Sequence, residues 1–334
     1  MAMNKAGVAF TLISLLAAST LLTIFFIGDS TPADAYTDSL SIRRDTTENT
    51  IDSLDQYFEY HVQNSLKASL ATMIKATNNT GSLYDDQPGV ISGQTQVLNC
   101  FQHGVFTDPS GTRHNCTSIR NETDLLESFA QQNTQTDLHI TTDATTIQHT
   151  SPFTIDVTTS LGFIAEEFTA YTEQSRRRTN SVPLRGLPSP LYRYTSTQPY
   201  NATIKWANNM SRWTNQSAHR SVVNREFVHY DQAPNFLQRL SNQTTAASQC
   251  CGMTSIVDPN EVNNPQNYSH LDHQFFNDRC GTNTRRITFD NNDIEANYKG
   301  NASQDGIEGA ILPMDFIERA NLDDPRILEN VNCS

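Results

Sequence analysis

The stretch from Val8 to Ile27 carries no charge, and no other feature limits the fold of this chain as strongly. About twenty helical residues, at 1.5 Å each, span the roughly 30 Å hydrocarbon layer of a bilayer. A secretory h-region is shorter, about 7–15 residues. Lys5 precedes the run and acidic residues follow it closely. The positive-inside rule then places residues 1–7 in the cytoplasm as a short leader and the rest of the chain outside. Residues 8–27 are expected to form a transmembrane or assembly helix whose partner is membrane lipid. Ala33-Asp34-Ala35 offers a rival cleavage site before Tyr36, but it sits far from the apolar run. Cleavage there would make the protein secreted.

The outer part begins with a second helical signal. Residues 40–75 contain no Gly or Pro, and Ile51, Leu54, Tyr57, Phe58, Val62, Leu66, Leu70 and Met73 recur at spacings of three and four. That period marks one apolar face. "NNTGS" at 78–82 ends the pattern. An amphipathic stalk helix is predicted over 36–77. Residues 78–134 are expected to be a disulfide-closed loop region. From about 135 the period changes to two: Phe153, Ile155, Val157, Leu161 and Phe163 share one parity. This alternation is that of a half-buried, antiparallel strand. "LHITTDATTIQ" and "FTAYTEQ" flank it as neighbouring strands. A β-sandwich-like domain is expected over 135–230. Residues 231–334 are expected to be a second small, Cys-containing, β-rich domain with a short helix at "APNFLQRLS" and a strand at "RRITFD". The fold class is α+β with a mainly antiparallel head.

Charge excludes one class of partner. The net charge is −13, and nucleic-acid binding needs a basic surface. Lys5, Lys67, Lys75, Lys205 and Lys299 are all the lysines there are, a composition suited to saline surroundings, where self-repulsion is screened. Cys100, Cys116, Cys250, Cys251, Cys280 and Cys333 all follow the apolar run, so they read as disulfides in an oxidising compartment. Cys100 and Cys116 are expected to close one loop. Adjacent Cys250 and Cys251 are poorly placed to join each other, so one is expected to reach Cys280 and the other Cys333. No C-x-x-C pair supports zinc. Asn-x-Ser/Thr sequons at Asn78, Asn115, Asn121, Asn201, Asn209, Asn215, Asn242, Asn267, Asn301 and Asn332 point to glycans on surface loops.

Catalytic signatures are absent: the chain has no G-x-S-x-G, H-E-x-x-H, P-loop or G-x-G-x-x-G. "SHLDHQFF" brings together His270, Asp272 and His273, yet a polar loop accounts for the pattern. "FDNNDIEANYKG" offers Asp290, Asn292, Asp293 and Glu295 as oxygen ligands. Ile294 takes one calcium-ligand position, and Glu295 stands where a calcium loop needs glycine. No catalytic residue, cofactor or metal is therefore expected. Arg176, Arg177 and Arg178 form the one basic cluster, read either as a solvated strand end or as a contact for an acidic partner.

The amino terminus resembles type IV pilin-like proteins. Lys5-Ala6-Gly7 precedes the run, and "FTLI" follows at Phe10 to Ile13. Ser14 stands where bacterial pilins carry glutamate, whereas archaeal pilins have no strict glutamate there. The resemblance implies processing after Gly7 and self-association into a filament. The whole layout is also similar to a family of uncharacterised archaeal membrane-anchored surface proteins from small-genome lineages. The stretches that carry this are "TLISLLAASTLL", "SPFTIDVTTSL", "LRGLPSPLYR", "APNFLQRLSNQT" and "GMTSIVDP". It implies location and layout. The expectation is a non-enzymatic cell-surface glycoprotein for filament assembly or adhesion, meeting a host or cell-surface glycan or protein. The alternative is a single-pass anchored adhesin or envelope protein that does not polymerise.

Overall fold

The computed structural model describes residues 32–80, 84, 92–134, 137–167, 170–193, 203–207, 221–222, 224–244, 247–248, 250–257, 269–275, 284–288, 309–320, 322 and 328–330. The apolar run 8–27 lies outside them. Among the described residues no helix is long and apolar enough to cross a membrane.

The first element is helix α1, Pro32–Thr80. Its length of 49 residues gives a rod of about 70 Å. The apolar stripe read from the sequence faces inward: Ile51, Leu54, Phe58, Val62, Leu66, Leu70 and Met73 are all buried, while Tyr57 is half-buried. The next segment is not the loop region expected over 78–134. It holds α2 (Gly93–His103), a hairpin of β1 (Val105–Thr107) and β2 (Arg113–Asn115), and α3 (Ile119–Thr134). Val97, Cys100 and Phe101 bury one side of α2. A helix of 11 residues is too short for its period to stand out from the sequence. Ser92 caps its start by accepting from the Thr95 N–H, and Gly104, at φ 70°, ends it in the left-handed conformation that glycine adopts without strain.

Three long strands follow: β3 (Asp137–Ser151), β4 (Thr154–Glu167) and β5 (Ala170–Pro183). They form an antiparallel sheet in the order β3-β4-β5. On central β4, Ile155, Val157, Leu161, Phe163 and Ala165 are buried with the predicted parity. Their cover is not the second sheet that a sandwich requires. Phe58 of α1 meets Phe163 edge-on at 6.0 Å, and the buried stripes of α1, α2 and α3 share one core with the strands. Three amphipathic helices precede the sheet in the chain, and each must bury a stripe. The sheet face satisfies all three.

Beyond Pro183 a short 3-10 turn (Pro190–Arg193) leads to a seven-stranded sheet. Its strands are β6 (Lys205–Trp206), β7 (Glu226–His229), β8 (Met253–Val257), β9 (Ser269–Leu271), β10 (Thr284–Thr288), β11 (Gly309–Pro313) and β12 (Leu328–Asn330). The order is β12-β10-β11-β9-β8-β7-β6, antiparallel except at β9/β11 and β6/β7. This sheet crosses residue 230, where a domain boundary was expected, because β7 pairs directly with β8. Around β7 and β8 both faces are covered. Phe227, Met253 and Val257 join the helix-lined core, whereas Val228, Ile256, Leu271 and Leu312 form a second core. Helix α6 (Met314–Arg319) closes that second core with Phe316 and Ile317. This region also holds α4 (Phe236–Leu240) and α5 (Asp272–Phe275). The architecture is α+β with mainly antiparallel sheets.

Candidate functional site

Within "SHLDHQFF", predicted to be a polar loop, residues 269–275 are instead a strand running straight into a helix. β9 ends at Leu271 and α5 begins at Asp272. Asp272 is completely buried, and so is Arg239 on α4. Arg239 donates from Nη1 to Asp272 Oδ2 at 2.7 Å and from Nη2 to Asp272 Oδ1 at 3.0 Å, a bidentate pair. Its remaining donors reach the Pro234 and Met253 carbonyls and Ser189 Oγ. Asp272 Oδ1 also accepts from Thr254 Oγ1 at 2.7 Å and from the His273 N–H at 2.6 Å. Burial pushes the Asp272 carboxyl up, but the Arg239 charge and the hydrogen bonds from His273 and Arg239 outweigh it and hold the group well below the usual carboxylate range.

This node is built locally from an ordinary capping box. Asn235 and Gln238 exchange side-chain and backbone hydrogen bonds at the start of α4, which fixes the short helix. The turn beneath it is tight. A Cβ on Gly252 would collide with the Tyr230 and Ala233 carbonyl oxygens, so only glycine fits there. Both carboxylate oxygens of Asp272 and every guanidinium nitrogen of Arg239 already have protein partners. The node clamps α4, β8 and the β9–α5 junction together. His270 takes no part; its ring lies 6.2 Å from Phe275, and burial lowers its affinity for a proton. Sequence reasoning passed over Arg239. Its one signal was a charge inside the apolar helix "FLQRL".

A second polar chain ties α6 to the end of β7. Arg319 Nη1 donates to Asp231 Oδ2 at 3.0 Å, Asp231 Oδ1 meets His229 Nε2 at 2.5 Å, and the Tyr230 hydroxyl donates to Asp315. The Arg319 hydrogen bond is the main reason that the Asp231 carboxyl lies below its ordinary value.

Strand alternation splits the arginine cluster. Arg176 reaches Asp52 at 2.6 Å and Asp55 at 3.2 Å, and Arg178 donates to Asp55 at 2.5 Å. Arg177 points to the opposite face and is exposed. Arg176 and Arg178 therefore pair with this chain's own α1, although Arg178 stays about half exposed. Among the described residues no group of three or more His, Cys, Asp or Glu is placed to hold a metal ion. Asp290, Asn292, Asp293 and Glu295 lie outside the described residues.

Cys100 and Cys116 are bonded, with Cα atoms 5.8 Å apart, and fasten the end of α2 to the hairpin. Cys250 and Cys251 are bonded to each other, which corrects the expectation that each would reach out. Their Cα atoms are 3.7 Å apart. Cys280 and Cys333 lie outside the described residues. Of the sequons, Asn115, Asn121 and Asn242 are exposed. The Asn78 side chain and Asn201, Asn209, Asn215, Asn267, Asn301 and Asn332 lie outside the described residues, as does Gly7.

No protein-family model matches the chain, no curated protein is similar to it, and no solved structure matches its fold.

Proposed function

We propose that the chain is a non-enzymatic cell-surface protein of pilin-like layout, anchored through residues 8–27 and displaying its sheets outside the membrane for assembly or adhesion. One observation carries this reading. The helix that follows the apolar run has its carboxyl half, from Ile51 to Ile74, built into the core of the head. A rod fixed at one end in a folded head, with an apolar segment at its other end, acts as a stalk. The disulfides and the exposed sequons suit an oxidising, glycosylating exterior.

The test is the mature amino terminus of protein taken from native membranes. A start at Val8 supports pilin-type processing after Gly7, and a start at Met1, Ala2 or Met3 supports a simple anchor. A start at Tyr36 overturns both. Filament and lone anchor are then separated by Ala18→Phe. Ser14 and Ala18 lie four apart on one helix face, where small residues let helices approach. The filament reading expects normal insertion with lost or thinned filaments in electron micrographs. Intact filaments from the variant would rule out tight packing there.

A further inference from the structure

β5 is the last strand of its sheet, and among the described residues no strand pairs with its outer edge. Such an edge offers a row of free N–H and C=O groups to another chain. The opposite edge is treated differently. On β3, Glu127 Oε1 accepts from the Ile140 N–H at 2.5 Å, and Gln94 Nε2 donates to the Ile147 carbonyl at 2.6 Å. Side chains from α3 and α2 thus cap that edge. Register shifts at Ala144/Thr146 and His149/Ser151 disrupt it further. β5, by contrast, pairs with β4 without a shift from Ala170 to Pro183, and its only proline is its last residue. Tyr171, Glu173, Ser175, Arg177, Thr179 and Ser181 are exposed along it.

Charges on an edge strand ordinarily discourage pairing. Here Arg176 and Arg178 are held on the inner face by Asp52 and Asp55. Glu173 and Arg177 remain on the outer face, and neither makes an ion pair among the described residues. They stand two residues to either side of Ser175, with opposite sign.

We propose that β5 is a strand-addition edge whose partner is β5 of a second copy of this chain, paired antiparallel about Ser175. In that register Glu173 lies opposite Arg177 of the second copy, twice by symmetry, and Tyr171 lies opposite Thr179. Opposite charges and aromatic–β-branched neighbours are favourable cross-strand pairs. Other centres are worse: one at Arg177 opposes two arginines, and one at Glu173 opposes two glutamates.

The symmetry has a consequence for orientation. A two-fold axis relating antiparallel neighbours in one sheet stands normal to that sheet. It reverses any helix lying along the inner face, α1 included. The two amino ends then leave the joined sheet in opposite directions. Resting on the anchored reading above, this contact joins copies on apposed surfaces and not neighbours in one membrane.

The experiment uses the full chain carrying Ser175→Cys, reconstituted in phosphatidylcholine vesicles and mildly oxidised. Mass spectrometry reads the peptide joined to its own copy at position 175, and light scattering reads vesicle clustering. Both should rise together. Glu173→Arg alone and Arg177→Glu alone should each cut the cross-linked fraction at least about threefold, and the two together should restore it, because the pair is recreated with its signs exchanged. No cross-link in a chain whose Cys100–Cys116 bond is intact overturns the β5 pairing. A cross-link without clustering overturns the apposed-surface arrangement. Chain that fails to float with the vesicles overturns the anchored reading instead, and the same cross-link, read in solution, then decides on β5 alone.

Discussion

The three-stranded and seven-stranded sheets follow one another in the chain and are stabilised by different means. The first has three long strands with one face on a helical layer, and an apolar contact, Phe58 on Phe163, typifies its interior. The second is assembled from short strands, with β7 and β8 covered on both faces, and a buried ion pair between α4 and the start of α5 sits beside it. Long half-buried strands reach stability through repetition of one simple contact. Short strands buried on both sides bring backbone ends and turns inside, and those ends need polar partners. The buried ion pair thus sits where regular structure runs out, at the start of α5 and on the short helix α4.

The sharpest way to break that contrast is to remove half of the ion pair. Asp272→Ala should cost about 3–5 kcal/mol, because the Arg239 guanidinium is left buried without its partner. Urea unfolding of the full chain measures it, and a loss below about 1 kcal/mol would show that water already reaches the site. Replacing both residues, Arg239→Met with Asp272→Leu, should recover most of the loss.

On the helical side, Cys100→Ala with Cys116→Ala should lower stability by about 3 kcal/mol, since a loop with a sequence separation of 16 regains its freedom in the unfolded chain. An unchanged unfolding midpoint would mean that the hairpin holds without the bond.

His149 sits at the seam between the regions, at the end of β3, with its carbonyl 4.0 Å from Cys250 Sγ. Burial pushes its imidazole from an ordinary 6.5 down to about 4. The folded chain therefore keeps it neutral where the unfolded chain protonates it. Unfolding takes up a proton between those values, so stability falls as pH drops from about 6.5 to about 4, by an amount on the order of 3 kcal/mol. His149→Gln should flatten that slope in a series of unfolding midpoints against pH. An equal slope in the variant would assign the acid sensitivity to other groups.

The smallest effect belongs to the surface clasp. Asp55→Asn should cost about 1 kcal/mol and lose most of its effect in 1 M salt, because the arginines it holds are partly exposed. A large, salt-independent loss would place this contact with the buried pair instead.

Sequence pattern carried the first region further than the second. The stripe of α1 and the parity of β4 were legible because each repeats one spacing over many residues, with only one side buried. The hairpin and α2 were missed because they are short. In the second region, "MTSIV" is buried at every position and shows no alternation at all. The helix "FLQRL" and the strand within "RRITFD", at residues 285–288, were legible as elements, but not what they pack on. Arg239 and Asp272 lie 33 positions apart, and nothing in one sequence connects them. Arg176 to Arg178 looked like one patch because a linear sequence does not display the two faces of a strand.

The seat of α1 on the head also determines how the molecule would bear tension. A pull at the amino end travels along the helix axis, and the helix lies flat along the sheet. It cannot peel away one turn at a time. It has to slide, and sliding disturbs the Asp55 clasp, the Phe58–Phe163 contact and the Ser69 hydrogen bond to the Thr117 carbonyl at the same moment. Contacts loaded together resist far more force than the same contacts loaded in turn. The joint is a lap joint, strongest in the direction in which a tethered head would be pulled.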